Sequence, residues 1–206
     1  INTTTATDQT NPDIGGDEFG DFVVAWTTNP GGGNKHDVVA QRIAYTGAKL
    51  GGEIALAQTT TDEQTDVAIA VRPYGDFVTT WQSNKQDDGS SWGIYARQFG
   101  ADGEARGGEL LVNATTASDQ VAPSVAIAGT NAFVVWSGKS DTSSPTDTNG
   151  VFFQRLNVPQ PGITWTRSGT TTSEAGGGPT ITMNFRLDTA PTANVVFALS
   201  VTDASE

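Results

Sequence analysis

The chain has 206 residues, 36% of them hydrophobic, with 24 glycines, no cysteine and a net charge of −12 from 11 basic and 23 acidic residues. That length and apolar share can build a packed all-β domain, but no run approaches the ~20 apolar residues of a membrane helix. Bases scattered singly from Lys35 to Arg186 exclude a clustered nucleic-acid surface, and the lack of cysteine excludes disulfides, thiolate metal sites and cysteine nucleophiles.

The first residues hold no basic segment followed by an apolar stretch, so a secretory leader is absent or already removed. Met183 is the sole methionine, and Ile1 therefore reads as a position inside a longer product. From Asp8 onward the sequence repeats itself. A polar signature opens each copy, as Asp8-Gln-Thr-Asn-Pro-Asp-Ile14, Glu63-Gln-Thr-Asp-Val-Ala-Ile69 and Asp119-Gln-Val-Ala-Pro-Ser-Val125. An apolar run ending in tryptophan follows: Phe22-Val-Val-Ala-Trp26, Phe77-Val-Thr-Thr-Trp81 and Phe133-Val-Val-Trp136, the tryptophans 55 residues apart. Next come Val38–Ile43, Ile94–Phe99 and Val151–Leu156 and, in the first two copies, Gly51–Leu56 and Gly107–Val112.

These runs are β-branched and aromatic and are bounded by Gly, Asn, Asp and Pro, which predicts short strands. Thr46-Gly47 and Asp102-Gly103 are hairpin dipeptides that accept positive φ. No sustained apolar spacing of 3.6 appears. The predicted fold is all-β: three tandem four-stranded antiparallel repeats resembling propeller blades, at about 1–58, 59–114 and 115–156, followed by a partial β-sandwich. The third copy is one residue shorter before Trp136 and lacks the fourth segment. Three blades fall short of the ~4 of a closed propeller, so blade edges are expected to pair with another chain or with the rest of a longer array. Asn157-Val-Pro-Gln-Pro-Gly162 reads as a linker, and residues 163–206 supply the sandwich strands, with Ile181, Met183, Phe185 and Leu187 alternating along the first.

His36 is the only histidine, so a triad or a histidine-based zinc site would have to be built around it. Adjacent acids such as Asp17-Glu18 point apart in strands and turns. Neither Gly31–Gly33 nor Gly176–Gly178 opens a phosphate-binding helix. The chain is therefore expected not to be an enzyme. Loops between second and third strands hold Asp87, Asp88, Asp141 and Asp147 near glycine, oxygen ligands of the kind calcium takes, although Lys35 and Lys85 oppose a cation. The three repeated tryptophans read as core anchors, which leaves Tyr74 and Trp92 as aromatics able to stack on a sugar.

The pattern Gly-Asp-Phe-Val-Val-Ala-Trp at 20–26, an Asp- and Gly-rich loop, Ile94-Tyr-Ala-Arg-Gln-Phe99, Asp-Gly and Gly-Gly-Glu resembles the propeller-like repeats of very large secreted bacterial surface proteins of adhesin type. Arg97-Gln98 inverts the usual order. The resemblance spans residues 8–156 and implies architecture and an extracellular or cell-surface location. The Ser173-Glu-Ala-Gly-Gly177 bend, the 181–187 strand, the Thr189-Ala-Pro191 turn and Val195–Asp203 resemble the first half of a Calx-beta domain, which implies calcium as a cofactor with Glu174 and Asp203 as ligands. The expected function is a structural or adhesive module of a surface protein or fibre, self-associating through exposed strand edges or joined to a longer parent chain. The alternative is a carbohydrate-binding β-propeller fragment.

Overall fold

The computed structural model describes residues 1–3, 5, 7–31, 35–87, 89, 91–139, 149–159, 163–168 and 182–187. The chain divides into two compact units, Ile1–Val158 and Pro159–Glu206. All regular structure among the described residues is β-strand.

The first unit holds three antiparallel sheets. The first runs β1 (Gln9–Gly16), β2 (Phe22–Thr28), β3 (Asp37–Ile43) and β4 (Lys49–Ala55) in that spatial order. The second repeats it with β5 (Gln64–Val71), β6 (Phe77–Asn84), β7 (Trp92–Phe99) and the short β8 (Leu110–Leu111). The third has β9 (Gln120–Ala128), β10 (Asn131–Gly138) and β11 (Gly150–Asn157), with no fourth strand among the described residues, in keeping with the missing Gly-Gly-Glu segment. Each sheet is a meander because polar segments separate the apolar runs in sequence. In the second unit β12 (Ile163–Ser168) and β13 (Thr182–Leu187) pair antiparallel, with Ile163 opposite Leu187.

The sheets stack as propeller blades. Strand β5 packs on β1 and β2, and β9 on β5 and β6, so the first strands lie together while β4 and β8 stand outward. Val23, Ala25 and Ala40 of the first blade meet Ile69, Phe77, Trp81 and Phe99 of the second, where Phe77 and Phe99 stack with centroids 5.0 Å apart. On its other side the second blade sets Ile94 and Ala96 against Val134 and Trp136, and Val78 against Ala132 and Val158. Strand β6 is thus covered on both faces, which explains its unbroken run of apolar and threonine residues.

Trp26, Trp81 and Trp136 occupy equivalent buried places, 4%, 0% and 6% exposed. In the outer blades the indole Nε1 donates to a glutamine of the polar signature: Trp26 to Gln9 Oε1 at 2.7 Å and Trp136 to Gln120 Oε1 at 2.8 Å. Two residues beyond each such glutamine the first strand bulges, with positive φ at Asn11 (51°), Asp66 (51°) and Ala122 (54°).

The shorter third copy is resolved differently from its sequence pattern. Val71 pairs with Phe77 and Ile127 with Ala132 to close equivalent hairpins. Ala132 therefore holds the place of Phe77, and Phe133 that of Val78. The missing residue belongs to the β9–β10 turn, and because strand side chains alternate Phe133 faces the opposite way from Phe77.

Candidate functional site

The β1–β2 turn Asp17-Glu-Phe-Gly-Asp21 and the β5–β6 turn Arg72-Pro-Tyr-Gly-Asp76 are built alike, each with an aromatic before a glycine at φ 88°. That left-handed conformation suits glycine. Asp17 Oδ1 accepts the amides of Phe19 and Asp21 at 2.9 Å each. In the second turn a buried ion pair of 2.5 Å joins Arg72 to Asp76, and Arg72 Nη2 also donates to the carbonyl of Val158. The Glu18 amide donates to the Pro73 carbonyl at 3.0 Å, lacing the two tips together. Phe19 and Tyr74 consequently stand as a tilted pair with centroids 6.4 Å apart, 65% and 67% exposed.

Beneath this pair a cavity of about 230 Å³ opens on the seam between the first two blades, lined by Asp17, Phe19, Asp21, Arg42 and Tyr74 among others. A groove of about 460 Å³ adjoins it, sharing Arg42 and Leu50 and adding Glu53, Arg97, Asp102 and Glu104. Arg42 Nη1 is fixed by the Asp102 carbonyl at 2.7 Å, and Arg97 by the carbonyls of Leu56 (3.1 Å) and Gly107 (3.0 Å). Gly103, at φ 86°, lets the β7–β8 turn lie on β4, since a Cβ there would stand 2.7 Å from Ile54 Cδ1. Ring faces, carboxylates and immobilised guanidiniums along one seam suit a polyhydroxylated ligand: rings cover C–H surface while charged groups exchange hydrogen bonds with hydroxyls.

Of the aromatics singled out from sequence, Tyr74 lines the cavity. Trp92 lies half-buried at the start of β7, its amide donating to Asp119 Oδ1 at 3.3 Å, and it lines neither compartment. Sequence reasoning missed Phe19, although aromatic-Gly-Asp-Phe recurs at 19–22 and 74–77. Among the expected calcium ligands, Glu174, Asp203, Asp88, Asp141 and Asp147 lie outside the described residues. Asp87 accepts a hydrogen bond from Asn113 Nδ2 at 3.3 Å and abuts Gly93. No group of three or more His, Cys, Asp or Glu suited to a metal ion occurs among the described residues.

His36 Nδ1 faces Glu63 Oε1 at 3.7 Å. On the first strands, Asp13 accepts the amides of Ile14 and Ile69 at 2.9 Å each, and Asp66 accepts from Asn11. Both carboxylates thereby tie β1 to itself and to β5. Burial raises the Asp37 carboxyl above its ordinary range, with the His36 charge working against it. The Tyr95 hydroxyl is pushed up to about 12 by burial and then by the charges of Asp87 and Glu109. Neither group lines the seam.

No protein-family model matches the sequence, and no curated protein matches it. Among solved structures the chain is similar to an α-L-arabinofuranosidase from Lactobacillus brevis, at 13% identity, covering 81% of this chain and 55% of that one, with a TM-score of 0.50. It is also similar to a GH43 endo-arabinanase from Bacillus licheniformis (14% identity, 72% and 51% covered, TM-score 0.47) and to an endo-arabinase from Bacteroides thetaiotaomicron (13% identity, 98% and 80% covered, TM-score 0.49). The chain spans about half the length of the first two. The expectation that it is not an enzyme is corrected by the first: an arabinofuranosidase is built on the fold that this chain shares. Glycoside cleavage rests on carboxylates rather than on histidine, so a single histidine was the wrong ground for excluding catalysis. At such identity the likeness shows the fold, an all-β stack of antiparallel propeller-like blades.

Proposed function

We propose that the chain is a carbohydrate-binding, propeller-like module of an extracellular or bacterial cell-surface protein. The observation that carries this reading is the exposed Phe19–Tyr74 pair at the mouth of the seam cavity. A sugar presents C–H faces to such rings, while Asp17, Asp21 and Arg42 sit where hydroxyls would lie. Five carboxylates (Asp17, Asp21, Glu53, Asp102 and Glu104) against the guanidiniums of Arg42 and Arg97 leave the two compartments acidic, which favours neutral glycans over uronate-rich ones. The names of the structural neighbours make linear arabinan the first ligand to try. A second reading, a structural or adhesive surface module, is favoured by an uncovered face on the third blade.

Calorimetric titration with linear arabino-oligosaccharides is expected to give binding that Phe19→Ala or Tyr74→Ala weakens about tenfold, ~1.4 kcal/mol. Both side chains are exposed, so the fold stays intact. Undiminished binding in both variants, or no binding of the unaltered chain to any neutral glycan, overturns the proposal. Reducing-sugar release from the same arabinan distinguishes a binding module from a hydrolase.

A further inference from the structure

In the first two blades, the face that each turns toward the next blade is covered. Val23 and Ala25 lie under the second blade, and Val78, Ile94 and Ala96 under the third. The third blade repeats this face and leaves it open. Trp136 pairs with Phe152 as Trp81 pairs with Tyr95, so Val151 and Phe153 hold the places of Ile94 and Ala96. Ile94 and Ala96 are 0% and 1% exposed, whereas Val151 and Phe153 are 81% and 70% exposed. Phe133 and Val135, in the places of Val78 and Thr80, are open beside them, with Val135 directly opposite Phe153. An apolar patch of this extent on a blade face calls for a cover.

The chain itself shows which surface covers such a face. Within the unit it is always the opposite side of the following blade, the side that bears Phe77 and Trp81 in the second blade and Ala132 and Trp136 in the third. The first blade presents that same side outward. Its Phe22 and Ile14 are exposed, and a cavity of about 150 Å³, lined by Ile1, Pro12, Val24 and Trp26 among others, opens on it. One end of the stack therefore carries protruding apolar side chains and the other an apolar socket.

We propose that the chain associates head to tail with a second copy, the Val151–Phe153 face of one seated on the Ile14–Phe22 face of the other. The contact repeats the packing already made twice inside each chain. The contact is heterologous, so it closes or runs on according to the rotation between successive chains.

Sedimentation of the whole chain from about 1 to about 100 µM, a range that detects micromolar association, is expected to show a mass that rises from one chain to two or more. Phe153→Glu and Ile14→Glu alter exposed positions on opposite ends, so each should yield a folded monomer, checked by the β-sheet circular dichroism signal. Mixing the two variants restores one intact contact, between the native Phe153 face of the Ile14→Glu chain and the native Ile14 face of the Phe153→Glu chain, and should regain the dimer. A chain that stays monomeric throughout, a dimer indifferent to both substitutions, or a dimer lost in both and not regained on mixing would each overturn the proposal.

Discussion

A single amide oxygen decides how the outer tryptophans are held. Gln9 and Gln120 reach across one hairpin to the indoles of Trp26 and Trp136, and a buried N–H left without an acceptor costs about 1–3 kcal/mol. Gln120→Ala is therefore expected to lower the unfolding free energy by about 2 kcal/mol, read from the urea midpoint. In the middle blade Gln64 donates to the Thr61 carbonyl and to Ser83 Oγ, while its Oε1 and Trp81 Nε1 have no partner among the described residues. The glutamine before each tryptophan is visible as a motif. Its task is not, because the reach of one side chain to the next strand is fixed by register. Tyr95 carries a second residue-scale consequence. Its hydroxyl titrates at about 12 when folded and near 10 in an unfolded chain, so the folded state keeps a proton that the unfolded state has released. Stability from this group is complete below about pH 10 and falls as the pH rises toward 12. Tyr95→Phe should flatten that decline, measured by denaturant midpoints across the same range.

At the scale of the element, the bulges of β1, β5 and β9 do the joining. Each interrupts its ladder; in β9 the bulge frees the Ala122 amide for Gln82 of the middle blade, and further along β5 the Ile69 amide donates to Asp13 of the first. Asn11 and Asp66 tolerate a left-handed backbone, whereas alanine at φ 54° carries a Cβ penalty of roughly 1–2 kcal/mol. Ala122→Gly is expected to raise the thermal midpoint by a few degrees, up to ~1 kcal/mol after the added chain entropy of glycine. The strands are legible in the sequence because apolar runs alternate with turn residues at a regular interval. The bulges are not, since Thr-Asn-Pro, Thr-Asp-Val and Val-Ala-Pro share no common mark: Asn and Asp accept positive φ in many settings, and Ala122 carries no such signal. Aligning the copies on their phenylalanines likewise hides that Phe133 faces the opposite way from Phe77.

For the whole molecule, repetition made the all-β, blade-like class readable, while the seam stayed hidden. Its residues come from turns and strands spread between Asp17 and Ala105, and only the stacking of two blades makes them neighbours. Tyr74 drew notice as an aromatic in a polar turn, but Phe19 has meaning only beside it. The expectation of no catalysis failed for a related reason: it weighed residues adjacent in sequence, whereas a propeller gathers its chemistry from separate blades. The same dispersal shapes how the unit is completed. Arg72, paired with Asp76 in the middle blade, takes the carbonyl of Val158 as its other partner, 86 residues further along. At roughly 5–20 residues per second of synthesis, that guanidinium spends several seconds with water in the place of this carbonyl. The residue that follows the third blade and ends the first unit thus delivers the acceptor that seals a turn made long before, and the order of emergence from the ribosome sets the order in which the stack locks.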